Sequence, residues 1–154
     1  MLKVKGQRLN SGQSLFEVVL ALGVITTIIV GVVSLTANSI RNSVYSRNKT
    51  LANRYAGEAT EWLRSERDAD FVGFQAHTTA SVKYCLKNLN WNKVGDCSND
   101  DKIAETSLFR DVAFTNNLVD QKTIIEADVR VYWHDAQGDH EVISATNFSD
   151  WRQR

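Results

Sequence analysis

An uncharged stretch of sequence, residues 18–40, constrains the fold more than any other feature of this chain. A helix rises about 1.5 Å per residue, so about 23 residues can cross a hydrocarbon layer of about 30 Å. Valine, leucine and isoleucine cover every helical face of the stretch, which is typical of a helix surrounded by lipid. We therefore expect one membrane-spanning helix near the N-terminus.

The residues before this stretch have the character of a targeting leader. Residues 1–12, MLKVKGQRLNSG, are basic and end in glycine. A basic segment followed by an apolar run is typical of a targeting peptide, so we expect residues 1–12 to be cleaved and not to belong to the folded protein. A secretory signal peptide cut near Thr36 and Ala37 is the alternative. Against it, the apolar stretch exceeds the usual length for such peptides, and Glu17 stands at its start.

Glu17 is the most informative single residue, because a carboxylate in a membrane segment costs about 2.5 to 3.5 kcal/mol and needs a partner. One interpretation places Glu17 at the level of the lipid headgroups, solvated beside Arg8. The other depends on cleavage after Gly12, which would create a terminal amine at Gln13, one helical turn away. An amine and a carboxylate in apolar surroundings satisfy each other.

The segment Gly12-Gln13-Ser14-Leu15-Phe16-Glu17, followed by the apolar stretch, resembles the processing motif of type IV prepilins and of the related pseudopilins of type II secretion and competence systems. In that family a glycine precedes the cut, a small hydroxyl residue is usual at the second mature position, and a glutamate is the fifth. Ser14 and Glu17 match. The resemblance implies cleavage after Gly12 by prepilin peptidase and N-methylation of Gln13. It also implies that Glu17 pairs with the terminal amine of a neighbouring subunit.

Two departures from the family pattern bear on the subtype. The first mature residue is usually Phe or Met and is Gln13 here. Many major pilins carry a proline that kinks the membrane helix, whereas this chain contains no proline, so any local softening falls to Gly23 and Gly31. Both departures favour a minor pilin or a pseudopilin over a major pilin.

Beyond residue 40 the pattern becomes amphipathic. Apolar residues recur at intervals of three, four or seven: Val44, Leu51, Tyr55, Ala59, Trp62 and Leu63. The helix is therefore predicted to continue to about Arg67. Residues 13–40 would be the transmembrane and polymerisation part, and residues 41–70 the amphipathic half that packs on a globular layer. Trp62 is interpreted as a packing residue on that layer.

Residues 71–154 are predicted to form a globular α+β head. Residues 68–81 indicate an irregular connector, and residues 81–86 and 108–115 indicate strands. Alternation from Ile125 to His134 predicts a half-buried strand, and Gln137-Gly138-Asp139 predicts a turn into a hairpin partner at residues 141–146. An antiparallel sheet of three or four strands would cover the amphipathic half-helix, giving an α+β fold. The resemblance implies the same architecture.

Cys85 and Cys97 lie in a polar region that the leader would export. Two cysteines in that setting favour a disulfide, which would imply an oxidising compartment. Two reduced thiols are the alternative.

No pattern in the chain predicts an enzyme, a metal site or a cofactor. His134, Asp135, Asp139 and His140 have atom types that bind divalent ions, but their spacing matches no zinc pattern, and the acidic residues 96–101 lack the glycine and glutamate of an EF-hand. Phosphate loops, nucleophile elbows and CxxC motifs are absent from the sequence. The net charge is zero, and the basic residues after position 40 are interpreted as a solvated helix face and not as a DNA site.

The sequence therefore favours a structural subunit of a type IV pilus or of a related secretion or competence filament. Its expected partners are other pilin subunits, prepilin peptidase, the pilus assembly platform and the membrane. We expect a single-pass protein of the cytoplasmic membrane with a cytoplasmic N-terminus, which then enters a filament at the cell surface or in the periplasm. The rival hypothesis is a signal-anchored periplasmic or surface binding protein that never polymerises.

Overall fold

The chain folds into the expected α+β class. The computed structural model describes residues 11–79, 82–119 and 122–150. Its elements are α1 (Ser11–Ala69), α2 (Phe71–His77), β1 (Lys83–Cys85), β2 (Phe109–Val119), β3 (Lys122–Asp135) and β4 (Gly138–Phe148). The four strands form one antiparallel sheet in the order β1-β2-β3-β4. Most of the expected leader, residues 1–10, lies outside the described residues.

The chain divides into two compact units, one up to Val44 and one from Tyr45 onward. The described part of the first unit is α1 alone, and every described side chain from residue 15 to residue 44 is exposed. The second unit contains the remainder of α1, α2 and the sheet, and it holds the hydrophobic core.

Within the second unit, α1 packs on the sheet through a stripe of small side chains. Ala52, Ala56, Ala59 and Leu63 recur at helical spacing and are at most 2% exposed. The alanines at the centre of the stripe are buried in the core, while the larger Tyr55 lies partly buried at the margin. The amphipathic pattern thus located the stripe from residue 51 to residue 63, but its buried centre is alanine and not aromatic. Val44, which the pattern included, is 49% exposed.

The inner face of the sheet follows the alternation read from the sequence. On β3 the buried residues are Ile125, Ala127, Val129, Val131 and Trp133. Their neighbours in sequence point to the other face, as the period of two requires. The predicted hairpin is confirmed, since β3 and β4 pair continuously from Asp135↔Gly138 to Ile125↔Phe148.

The expected irregular connector after α1 contains a short helix, α2, and that part of the prediction was wrong. The Oδ1 atom of Asp70 caps α2 by accepting a hydrogen bond from the Val72 backbone N–H at 3.1 Å. A Cβ at Gly73 would lie 2.6 Å from Asp70 Oδ2, so a larger residue there would displace the cap. Seven residues are too few for helical periodicity to be visible in sequence.

Candidate functional site

The exposed apolar segment of α1 is the first candidate for function. Its large side chains are all exposed, and a window of 18 residues has a mean hydropathy of 2.7 with none of it buried. Soluble monomers rarely expose a continuous apolar surface of this extent. By length and composition, this helix is able to cross a membrane.

The threonine hydroxyl groups within the segment are satisfied by the helix itself. The Oγ1 atoms of Thr26, Thr27 and Thr36 each donate to the backbone carbonyl oxygen four residues earlier, at 2.8 to 2.9 Å. A hydroxyl without a partner in an apolar medium costs several kcal/mol. These three threonines therefore suit lipid or a helix bundle as surroundings, because they require no water.

Glu17 contrasts with those threonines. Its side chain is exposed, and no hydrogen bond or ion pair joins it to any other residue in the described ranges. Gly12 and Gln13 lie in the first turns of α1, so Gln13 precedes Glu17 by one helical turn. The side chain of Gln13 lies outside the described part of the chain. An apolar helix thus carries one carboxylate for which its described neighbours supply no cation.

The second candidate feature is the loop between β1 and β2. A disulfide joins Cys85, at the end of β1, to Cys97 in the loop, with Cα atoms 5.1 Å apart. This is the pairing that the sequence favoured over free thiols. A disulfide of this kind is typical of proteins in an oxidising compartment.

Trp91 anchors the same loop by a second route. Its indole Nε1 donates to Glu66 Oε2 at 2.9 Å, and its ring stacks on His77 with centroids 4.8 Å apart. Trp62, expected to pack on the sheet, contacts Trp91 at 4.7 Å between ring centroids. Trp91 thereby joins the loop to both helices. No local sequence signal marks it, because it lies among asparagines and lysines in an irregular segment.

Arg110 lies on the inner face of β2, beneath α1, and is 2% exposed. Its Nε donates to the Leu86 carbonyl oxygen at 3.0 Å, and its Nη1 donates to the Tyr55 carbonyl oxygen at 2.9 Å and to Glu58 Oε2 at 3.2 Å. Burial lowers the pKa of the Arg110 guanidinium, and the Glu58 carboxylate opposes that shift. These contacts clamp α1 to the sheet, so we assign Arg110 a structural role.

On the opposite face of the sheet, Asp111 forms a bidentate ion pair with Arg130. Asp111 is 2% exposed and accepts from Arg130 Nε at 3.2 Å and Nη2 at 2.6 Å. The hydrogen bond to Asp111 raises the pKa of Arg130. Glu141 lies farther from the same guanidinium, at 3.8 Å between Oε2 and Nη1.

The residues weighed as metal ligands at the β3–β4 turn form two separate pairs. His134 Nδ1 lies 2.8 Å from Asp139 Oδ1, and His140 Nε2 lies 2.9 Å from Asp135 Oδ1. Within the described ranges no group of three histidine, cysteine or acidic side chains could hold a metal ion.

The acidic loop weighed as a calcium site also uses its carboxylates locally. Asp96 Oδ1 pairs with Lys83 Nζ at 2.8 Å. Asp101 Oδ2 accepts from the backbone N–H and the hydroxyl of Ser98, each at 2.6 Å, and from Lys93 Nζ. The hydrogen bond from Lys93, supported by those from Ser98, holds the pKa of Asp101 well below its usual range. These oxygens serve the loop's own structure.

Comparisons with protein-family models, with curated proteins and with solved structures found no match to this chain. The functional proposal therefore depends on the sequence motif and on the geometry of the described residues.

Proposed function

We propose that the chain is a structural subunit, a minor pilin or pseudopilin, of a type IV pilus or of a related secretion or competence filament. The observation that carries the proposal is the position of Glu17 in α1. This lone carboxylate lies one helical turn from Gln13, at the start of an exposed apolar segment. An apolar segment alone would fit any membrane-anchored protein. A carboxylate one turn from a backbone nitrogen that cleavage would convert into an amine favours, in addition, pairing between subunits of a filament.

Cleavage after Gly12 would convert the backbone nitrogen of Gln13 into a charged amine. In an apolar filament core, an unpaired carboxylate is costly and an ion pair with good geometry offsets much of that cost. Glu17 of an incoming subunit would therefore pair with the amine of a subunit already in place. Because a shift of one subunit along the other would leave both charges unpaired, the pair sets the register of assembly.

The apolar segment and the disulfide in the head are consistent with the same proposal. Before assembly, residues 13–40 would anchor the chain in the cytoplasmic membrane, with the N-terminus in the cytoplasm. The head would lie on the oxidising side, which suits the disulfide between Cys85 and Cys97. Prepilin peptidase, the assembly platform and the other pilin subunits would be its partners, and it would act as a building block and not as an enzyme.

The rival is a signal-anchored binding protein that never polymerises. A cleft of about 520 Å³ beside the β3–β4 turn favours it, because such a volume suits a small ligand. Its lining is mixed and largely charged: Arg130, Tyr132, Trp133, Asp139, His140 and Glu141. Ligand pockets are more often predominantly apolar, so we place this function second.

Mass spectrometry of the mature N-terminus in the native host distinguishes the two functions. The filament proposal predicts a chain that begins with N-methylated Gln13. An intact leader, or a cut near Ala37, would contradict it and favour the rival.

The role of Glu17 is tested by Glu17→Ala, with Glu61→Ala as the matched control on the exposed face of the same helix. Removing the Glu17 carboxylate should leave the amount of membrane-inserted chain unchanged, because the apolar segment is intact. Incorporation into sheared filaments should fall at least about tenfold, which corresponds to about 1.4 kcal/mol of lost association free energy. The control should incorporate normally. Normal incorporation of Glu17→Ala would refute the pairing role.

A further inference from the structure

The two edge strands of the sheet, β1 and β4, differ in whether another segment of the chain pairs with their outer side. At the β1 edge, the following loop folds back and pairs with the strand. The Cys85 N–H donates to the Lys93 carbonyl oxygen at 2.9 Å, and the Gly95 N–H donates to the Lys83 carbonyl oxygen at 2.7 Å. The disulfide between Cys85 and Cys97 ties down this covering segment. The β1 edge is only three residues long and is closed by the protein itself.

The β4 edge is eleven residues long and regular. Each residue of β4 pairs with one residue of β3, without a bulge. A two-residue turn makes Asp135↔Gly138 a hydrogen-bonded pair, so bonded and non-bonded pairs alternate from there. Five residues of β4 therefore direct their N–H and C=O groups away from β3: Asp139, Glu141, Ile143, Ala145 and Asn147.

The described part of the chain supplies no partner for those outward backbone groups. Among the described residues, none of the backbone hydrogen bonds outside the ladders and helices involves β4. The side chains of the same five residues are exposed, and Ile143 is 55% exposed in the middle of the edge. Native proteins usually protect a long edge with charged side chains, proline or a bulge. β4 has no proline and no bulge, and its two acidic side chains, Asp139 and Glu141, both lie at the turn end, so the rest of the edge is unprotected.

We propose that the free edge of β4 accepts an extended strand from a second protein, with basic residues facing Asp139 and Glu141 and an apolar residue facing Ile143. Addition of a strand would satisfy the row of outward N–H and C=O groups, as in β-augmentation. The proposal stands on the geometry of the sheet and does not depend on filament assembly.

The charges along β4 define the chemistry of this partner. Its two acidic side chains lie at the turn end and are 94% and 53% exposed, while the outward residues beyond them are uncharged. Asp139 contacts the exposed His134, and Glu141 lies 3.8 Å from an arginine whose closer partner is Asp111. The acidic end therefore retains surface for a further cation.

A second copy of β4 does not supply that cation, because the strand contains no lysine or arginine. A parallel pair of β4 strands in register would place Asp139 and Glu141 opposite their own copies, which is destabilising. An antiparallel pair centred on Ile143 would place Glu141 opposite Ala145 and Asp139 opposite Asn147. Neither arrangement matches the acidic end, so we infer a strand of different sequence.

The test uses the full chain in detergent micelles and a synthetic nine-residue peptide, Lys-Thr-Lys-Thr-Val-Thr-Val-Thr-Ser, blocked at both ends. Amide hydrogen exchange of β4 is measured by NMR, residue by residue. Without peptide, the amides of Glu141, Ile143 and Ala145 should exchange faster than those of Val142 and Ser144, which bond to β3. Added peptide should slow the three outward amides at least about tenfold, because a new strand protects them. The same peptide with glutamate in place of lysine should have no effect.

A matched pair of variants separates edge pairing from unfolding. Ala145→Pro removes an outward N–H that β3 does not use, and its ring occupies the approach of an added strand. Ala145→Ser keeps the N–H. The proline variant should lose the peptide-induced slowing at Glu141 and Ile143, while the serine variant keeps it. In both variants the amides of Val142 and Thr146 should stay slow, which shows that the sheet is intact.

Two results would overturn the proposal. The first is unchanged exchange of the outward amides at peptide concentrations up to about 1 mM, which excludes an affinity of even about 4 kcal/mol. The second is slowing that rises with the concentration of the chain itself in the absence of peptide, which would assign the edge to a second copy. Because the measurement uses the isolated chain, both results are independent of whether it polymerises.

Discussion

The two halves of α1 belong to one helix but are built for different surroundings. Up to residue 44, valine, leucine and isoleucine are exposed on all sides, and the described chain covers none of them. From residue 51 to residue 63, the buried positions form a single stripe of mostly alanine under the sheet. The second half has its core within the chain. The first half has no such core among the described residues, and its surface is suited to apolar surroundings.

Polar groups show the same contrast. Thr60, in the sheet half, donates to the Ala56 carbonyl oxygen as the threonines of the apolar half do to theirs, so these threonine hydroxyls are satisfied locally in both halves. The carboxylates differ. Glu58 receives the Arg110 guanidinium from β2, whereas Glu17 has no cation among the described residues. The sheet half thus finds its apolar cover and its cation within the chain, whereas the described residues supply neither to the apolar half.

The largest expected effect comes from breaking the clamp on the sheet half with Arg110→Ala. The substitution leaves the carbonyl oxygens of Tyr55 and Leu86 without their buried donor, and Glu58 without its cation. A buried polar group left without its hydrogen-bond partner costs about 1 to 3 kcal/mol, so the two carbonyl oxygens together should lower the unfolding free energy by about 2 to 6 kcal/mol. Glu58 is half exposed, so water replaces its lost cation. Urea unfolding of the full chain in detergent, followed by tryptophan fluorescence, measures this loss.

Arg64→Ala is the control for Arg110→Ala. Arg64 pairs with Glu61 on the exposed face of the same helix, and exposed pairs contribute about 0 to 1 kcal/mol. A loss below about 1 kcal/mol for Arg110→Ala would mean that the guanidinium does not hold α1 to the sheet.

A smaller effect is expected from a matched pair of leucine truncations, one in each half. Leu63→Ala removes a fully buried side chain from the core and should lower the unfolding free energy of the head by about 2 to 4 kcal/mol. Leu22→Ala removes an exposed side chain and should change it by no more than about 0.5 kcal/mol. The same urea titration measures both. Equal losses would break the comparison, since they would mean that the apolar half also stabilises the head.

The sequence predicted the elements that have a long, uninterrupted period. The apolar stretch and the stripe ending at Leu63 gave a helix to about Arg67, and α1 ends at Ala69. The alternation from Ile125 to Trp133 gave β3 and its buried face. For the stripe and for β3, one physical requirement, burial of one face, repeats over enough residues to outweigh local exceptions. The apolar stretch was predicted from its length and its lack of charge.

The sequence failed where a contact depends on residues far apart in the chain. Arg110 interrupts the apolar pattern of β2, yet it lies on the buried face because Tyr55, Glu58 and Leu86 supply its acceptors. Trp91 gives no periodic signal, and its role depends on Glu66 and on aromatic rings from α1, α2, β1 and β2. The Asp70 cap of α2 was readable in principle, since aspartate before an apolar run is a helix start signal.

The same division applies to the candidate site. Glu17 and the glycine before Gln13 were visible because a charge in an apolar run and a residue that ends a leader are local features. The free edge of β4 was not visible, because which strand lies at an edge depends on the order of the whole sheet. The hairpin could be predicted without indicating that its second strand lacks a neighbour.

The smallest expected effect is a loss of stability at low pH, and it should occur in the head and not in the apolar half of α1. Hydrogen bonds from Lys93 and Ser98 lower the pKa of Asp101, and the bond from Lys83 lowers the pKa of Asp96. A lowered pKa in the folded state stabilises the head above the unfolded value of about 3.9, and that stability is lost as the pH falls toward the folded pKa. The unfolding free energy of the head should therefore decrease below about pH 5.

Asp101→Asn should flatten this decrease, because the amide cannot titrate and binds the Lys93 ammonium less well. Asp100→Asn, at the neighbouring exposed position, removes the same charge without touching the three donors of Asp101, and its decrease should match that of the unchanged chain. Urea titrations at about pH 7, 5 and 3.5 give the comparison. An equal flattening by both variants would assign the acid response to net charge and not to the Lys93–Asp101 contact. The apolar half contains no such pair among its described residues, so its helicity in micelles should remain constant over the same range.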